Sequence, residues 1–138
     1  MGLNLGWLQV AEERGLVRVG AGARTPAPPR PGCSEDEFGR HLIAYAQARG
    51  WRVAHFRPGR TASGWRTPCS ADAKGWPDLI LVRGPRIVAA ELKRDGGKKP
   101  TPEQTTWLAA LRAAGVPAFV WKPKDWQSVM VVLEGGGR

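Results

Sequence analysis

The sequence predicts a small mixed α/β domain in which a sheet lies between helices. Three observations carry that prediction. Residues 34–50 and 101–115 each open on a helix cap and close on glycine. Residues 75–93 read GWPDLILVRGPRIVAAELK, with two short runs of Val, Ile and Leu flanking Gly84-Pro85, the pattern of a buried β-hairpin. A further strand-like run, VPAFVW, follows the second helical segment. At 138 residues the chain is long enough for one domain with a real core.

In chain order, residues 1–32 read as an appendage to a folded part over 33–134, with 135–138 as a frayed end. GLNLGWLQVAEERGLVRV, a short helix or strand at most, keeps no sustained period. GAGARTPAPPRPG is a Pro/Gly/Arg linker that cannot pack a core, and its Arg24 and Arg30 are available to phosphates. Ser34 is then an N-cap, Glu37 completes a capping box at N3, and Glu35 and Asp36 suit the positive end of the helix dipole. Phe38, Leu42, Ile43, Tyr45 and Ala46 form the apolar stripe of this helix, and Gly50 ends it. Residues 51–56 (WRVAHF) alternate as a strand.

Residues 57–74 form a long Gly/Pro/Ser/Thr loop, and loops of this length inside a compact domain are usually functional or mobile. Arg57, Arg60, Arg66 and Lys74, with Trp65 among them, are candidate contacts to a nucleic-acid backbone, against a loop that is merely solvated. A basic turn after the hairpin adds Arg94, Lys98 and Lys99. Thr101 caps the second helix with Pro102 at N1 and Gln104 at N3, a second capping box. Trp107, Leu108, Leu111 and Ala114 give it a buried stripe, and Gly115 stops it. Pro117 places the strand over residues 116–121 at a start or an edge. A last helix over residues 126–133 carries Trp126, Val129, Met130 and Leu133.

Composition narrows the function. The net charge of +9 points to a polyanionic partner, nucleic acid first. No apolar run is long enough to span a bilayer, and the first residues carry charges where a signal peptide would be apolar, so a cytoplasmic protein without membrane contact is expected. Cys33 and Cys69 lack any metal-ligand spacing and read as reduced, incidental thiols.

The hairpin carries the chemistry. With Gly84 and Pro85 as a two-residue type II′ turn, Arg83 faces Arg86 and the same register sets Asp78 opposite Glu91. Opposed residues share a face, and Lys93, two residues past Glu91, shares it too. Two carboxylates on adjacent strands repel unless a cation lies between them. Mg²⁺ suits such a site, since it binds through one or two carboxylates plus substrate phosphate, and the Leu92 carbonyl is a candidate third ligand. Lys93 is then placed to hold or deprotonate a water, or to stabilise transition-state charge. The alternative, a solvated ion pair, conflicts with Ala89 on the same face and with the apolar strands around it.

Pro77-Asp78 followed by Glu91-Leu92-Lys93 matches the PD-(D/E)xK nuclease motif. With TPEQTTWLAALRAAG and the AFVWKPKDW run downstream, residues 34–133 resemble the VRR-NUC (virus-type replication-repair nuclease) family, especially its small standalone phage and bacterial members. The resemblance implies a restriction-endonuclease-like core with a mixed central sheet flanked by helices. It further implies Mg²⁺- or Mn²⁺-dependent hydrolysis of DNA, with Asp78 and Glu91 as metal ligands and Lys93 catalytic. It adds Gln104 as a site residue and a glutamate from the first helix, Glu35 before Glu37; the alternative for Gln104 and Glu35 is helix capping, which explains each residue well. His55 is a candidate phosphate contact, against a structural histidine. Branched DNA, such as flaps and four-way junctions, is the expected substrate and a homodimer the expected form. The alternatives are a DNA-binding module that does not cleave and a restriction-type duplex endonuclease.

Overall fold

The structure, a computed structural model, describes residues 26–57, 59–61, 64–66 and 70–135. Arg24, the helix or strand expected within residues 1–18, and Cys69 lie outside the described residues, as do residues 136–138 and the side chains of Arg60, Trp65 and Arg66. The elements are α1 (Glu35–Ala48), β1 (Arg52–His55), β2 (Gly59–Thr61), β3 (Gly64–Arg66), β4 (Leu79–Arg83), β5 (Arg86–Leu92), α2 (Pro102–Ala113), β6 (Ala118–Trp121), a 3-10 turn (Pro123–Asp125) and α3 (Trp126–Leu133). The main sheet has the order β1-β4-β5-β6. Its first two pairings are antiparallel, and β6 joins β5 in parallel after the α2 crossover.

Local chemistry sets the helix ends where the sequence predicts them. The Ser34 hydroxyl accepts the Glu37 N–H at 3.1 Å. Thr101 and Gln104 form the complete reciprocal box, Gln104 Oε1 accepting the Thr101 N–H at 2.8 Å. The strand period of two then splits the hairpin between two cores. Leu79, Leu81, Val88, Ala90 and Leu92 point to one face, where Phe38, Leu42 and Tyr45 of α1 and Trp126, Val129 and Leu133 of α3 cover them. Ile80 and Ala89 point to the other, under Leu108 and Leu111 of α2 with Ala118 and Val120 of β6. A three-layer sandwich results.

Several details differ from the sequence reading. The loop after β1 contains a small separate hairpin, β2 with β3, Arg60 pairing with Trp65. Two three-residue strands without apolar alternation leave no period to detect. In α2 only Leu108 is fully buried; Ala114 is exposed, and Trp107 packs against Trp76 at 4.9 Å between ring centroids. Arg30 is engaged by Glu37 through a bidentate pair at 3.0–3.1 Å. Arg83 and Arg86, beside the hairpin turn, stack over the Trp51 ring at 4.8 and 5.0 Å. They donate to the carbonyls of Arg49 and Leu133 and of Val132, where α1 and α3 end. These cations satisfy helix C-termini. No helix among the described residues is long and apolar enough to cross a membrane.

Candidate active site

The hairpin turn fixes the site. Gly84 has φ +57°, as the first central position of a type II′ turn requires, and Pro85 supplies the fixed negative φ of the second. Arg83 pairs with Arg86 and Leu79 with Ala90, so the next step of the register sets Asp78 opposite Glu91. On its other side β4 pairs His55 with Leu79. One step on, the Phe56 N–H donates to the Asp78 carbonyl at 2.8 Å. Glu91 pairs with Val120 of β6. A single row, Phe56–Asp78–Glu91–Val120, therefore crosses the sheet on the α2 face.

Glu91 is the pivot of this row. It is 2% exposed, the buried charged residue of the core among the described residues. Its Oε1 accepts from Gln104 Nε2 at 2.6 Å and lies 3.4 Å from Lys93 Nζ. Its Oε2 is buried and accepts from no N–H or O–H donor; a side-chain bond to Asp78 forms when one of the two carboxyls holds a proton. Burial first, then the negative charge of Asp78, push the Glu91 carboxyl up to about 8, with Lys93 pulling the other way. Gln104 serves two elements at once: its carbonyl caps α2 and its amide, oriented by that bond, faces Glu91.

Asp78 Oδ2 accepts the Leu92 N–H at 2.8 Å, which aims this carboxylate at the end of β5. The Leu92 N–H and C=O point to the same side of the strand. Pro77, opposite Leu92 in this register, has no N–H with which to pair that carbonyl. The sheet thus ends with two carboxylates and one free carbonyl direction converging.

This donor set fits a divalent cation. An ionised carboxylate oxygen buried without a donor is costly, and Glu91 Oε2 is such an atom when both acids are ionised. No group of three or more His, Cys, Asp and Glu side chains with ligating geometry occurs among the described residues. The protein ligands on offer are two carboxylates and a main-chain carbonyl, and Mg²⁺ characteristically keeps its other positions for water and phosphate.

The remaining predicted residues divide. Glu35, at the start of α1, is exposed as a residue, yet its carboxyl is raised by burial and then by the charge of Asp78, and lowered by Lys93 and Arg94, which puts it within electrostatic reach of Asp78. The Glu37 carboxylate turns instead to Arg30, so the capping box expected at Ser34 is only half made, through the Glu37 N–H. His55, opposite Leu79, points to the α1 face and lines a groove with Asp36, Arg40, Ile43 and Arg57. Burial, then Arg57, hold it below the ordinary histidine range. Arg57 pairs with Asp36 at 3.2 Å and Lys74 with Glu103 at 3.4 Å, both at the surface. Arg94, Lys98 and Lys99 are exposed beyond β5. Sequence reasoning missed Phe56, whose place in the row follows from the β1–β4 register, a long-range pairing.

No protein-family model matches the chain, and no curated protein matches it. Among solved structures, a VRR_NUC domain protein is similar, with TM-score 0.52 and 24% sequence identity, covering 74% of this chain and 91% of that one. The chain has the fold of that VRR_NUC domain, a mixed four-stranded sheet between helices, with Asp78, Glu91 and Lys93 at the end of its central hairpin.

Proposed function

We propose that the chain is a VRR-NUC nuclease that hydrolyses DNA phosphodiester bonds with Mg²⁺ or Mn²⁺, acting on branched or otherwise structured DNA. The observation that carries this reading is the buried, half-satisfied Glu91 beside Asp78 and Lys93. A purely structural role would not retain two neighbouring acids in a largely apolar sheet.

Asp78, Glu91 and the Leu92 carbonyl would hold the ion. When bound, it neutralises charge on the phosphoryl oxygens and lowers the pKa of a water. The chain's own residues do the rest. Lys93, its side chain 15% exposed, holds the attacking water against the phosphate and stabilises the charge that develops there. Gln104 keeps the Glu91 carboxylate in one orientation. Glu35 supplies a further carboxylate at the open side of the site. Arg94, Lys98 and Lys99 supply positive charge along the path by which a DNA backbone reaches the end of β5.

A panel of duplex, flap and four-way-junction DNAs, incubated with Mg²⁺ or Mn²⁺, tests the reading. Cleavage of a branched DNA in preference to plain duplex is expected, with symmetric paired nicks on a four-way junction if the enzyme acts as a homodimer. Binding that leaves every DNA on the panel intact would end it.

A further inference from the structure

Phe56 occupies a position that metal binding and water activation do not explain. It stands one strand spacing, about 4.8 Å, from Asp78 in the same row and on the same face. It is 40% exposed, one of few large apolar side chains left in solvent among the described residues. Its ring meets Trp76 edge-to-face at 6.1 Å, and Trp76 meets Trp107 in the same way at 4.9 Å. This ladder is anchored at its far end. The Trp107 Nε1–H donates to the Asp72 carbonyl at 2.8 Å, and Gly75 lies so close to α2 that a Cβ there would fall 2.5 Å from the Glu103 carbonyl carbon. Phe56 is therefore a braced aromatic surface, open to solvent, next to a carboxylate of the candidate site.

We infer that Phe56 is a stacking platform for a nucleobase adjoining the scissile phosphate, an inference that rests on the nuclease reading and assigns its substrate class. A base within a duplex is already stacked on both faces and paired at its edge. Only a base that has left the helix offers a face to this ring, and base–aromatic stacking tolerates any of the four. The site thus selects strands that are unpaired beside the cut, as at a flap or splayed arm, without reading their sequence.

Two measurements test this. First, single-stranded oligonucleotides carrying 2-aminopurine are titrated with protein in EDTA at low salt, where no cleavage is required. Fluorescence is expected to fall severalfold with the wild-type protein and with Phe56→Tyr, and not with Phe56→Leu. Absence of quenching by the wild type, or equal quenching by Phe56→Leu, overturns the inference. Second, the ratio of splayed-arm to fully paired duplex cleavage is measured with Mg²⁺. It is expected to fall about tenfold in Phe56→Leu, within the range of one base–aromatic stack, and to recover in Phe56→Tyr. A ratio that does not move overturns the platform while leaving the nuclease reading intact. A wild-type protein that quenches through Phe56 but cuts no DNA overturns the nuclease reading and leaves the platform as a binding site.

Discussion

Glu91 is an acid kept in a place that penalises its charge. With its carboxyl pushed up to about 8 against an ordinary 4.5, the metal-free native state holds a proton that the unfolded chain has lost. Its stabilising contribution is therefore full below about pH 4.5 and disappears as pH rises through 8. In EDTA, the protein is expected to lose stability between pH 5 and pH 8.5, by an amount on the order of a few kcal/mol. Glu91→Gln should flatten that profile, measured by urea denaturation across the range. A steep fall retained in Glu91→Gln would assign the titration elsewhere. Gln104 separates into its two bonds by comparison with its capping partner. Thr101→Ala removes only the cap and should cost about 1 kcal/mol of stability with cleavage retained. Gln104→Ala loses the cap and the hold on Glu91, and its cleavage rate should drop about 10–100-fold, as for other residues that orient a metal ligand. Equal rates for the two variants would reduce Gln104 to a cap.

At the scale of elements, the site is the product of two short-range devices and one long-range pairing. The Gly84-Pro85 turn sets the β4–β5 register, and the Ser34 and Thr101 caps set where α1 and α2 begin. All of these are legible in the sequence because each is a local backbone requirement, and they bring Asp78, Glu91, Lys93 and Gln104 together. The β1–β4 pairing is not local. It decides that Phe56 shares the face of Asp78 while His55 faces the other way, and no turn residue announces it. The same holds for Glu35, whose approach to Asp78 depends on how α1 lies across the sheet. Close packing of α2 on the turn leading to Asp78 runs through Gly75, at φ +86° with no room for a Cβ. Gly75→Ala is expected to destabilise the protein by about 2 kcal/mol or more, read as a lowered urea midpoint. A midpoint unchanged from wild type would show that the contact gives way freely.

For the molecule as a whole, the charge of +9 does not all serve one purpose. Arg83 and Arg86 are committed to helix ends and the Trp51 ring, and Arg30 to Glu37. Lys98 and Lys99, exposed past β5, are the cations best placed for a phosphate backbone. Log affinity for DNA should fall linearly with log salt, and the double variant Lys98→Ala/Lys99→Ala should make that slope shallower by about 2. An unchanged slope would move the backbone track to another face. In the proposed function, Asp78, Glu91 and Lys93 form one hydrolytic centre around a divalent cation. Its most direct test is single-turnover cleavage of a branched DNA as a function of Mg²⁺ or Mn²⁺ for the wild-type protein, Asp78→Ala and Lys93→Ala. The expected rate saturates with the ion, vanishes in EDTA, and falls about a thousandfold in each variant, the scale of losing a principal transition-state contact. Cleavage that persists in EDTA, or that survives Asp78→Ala within tenfold of wild type, would contradict it.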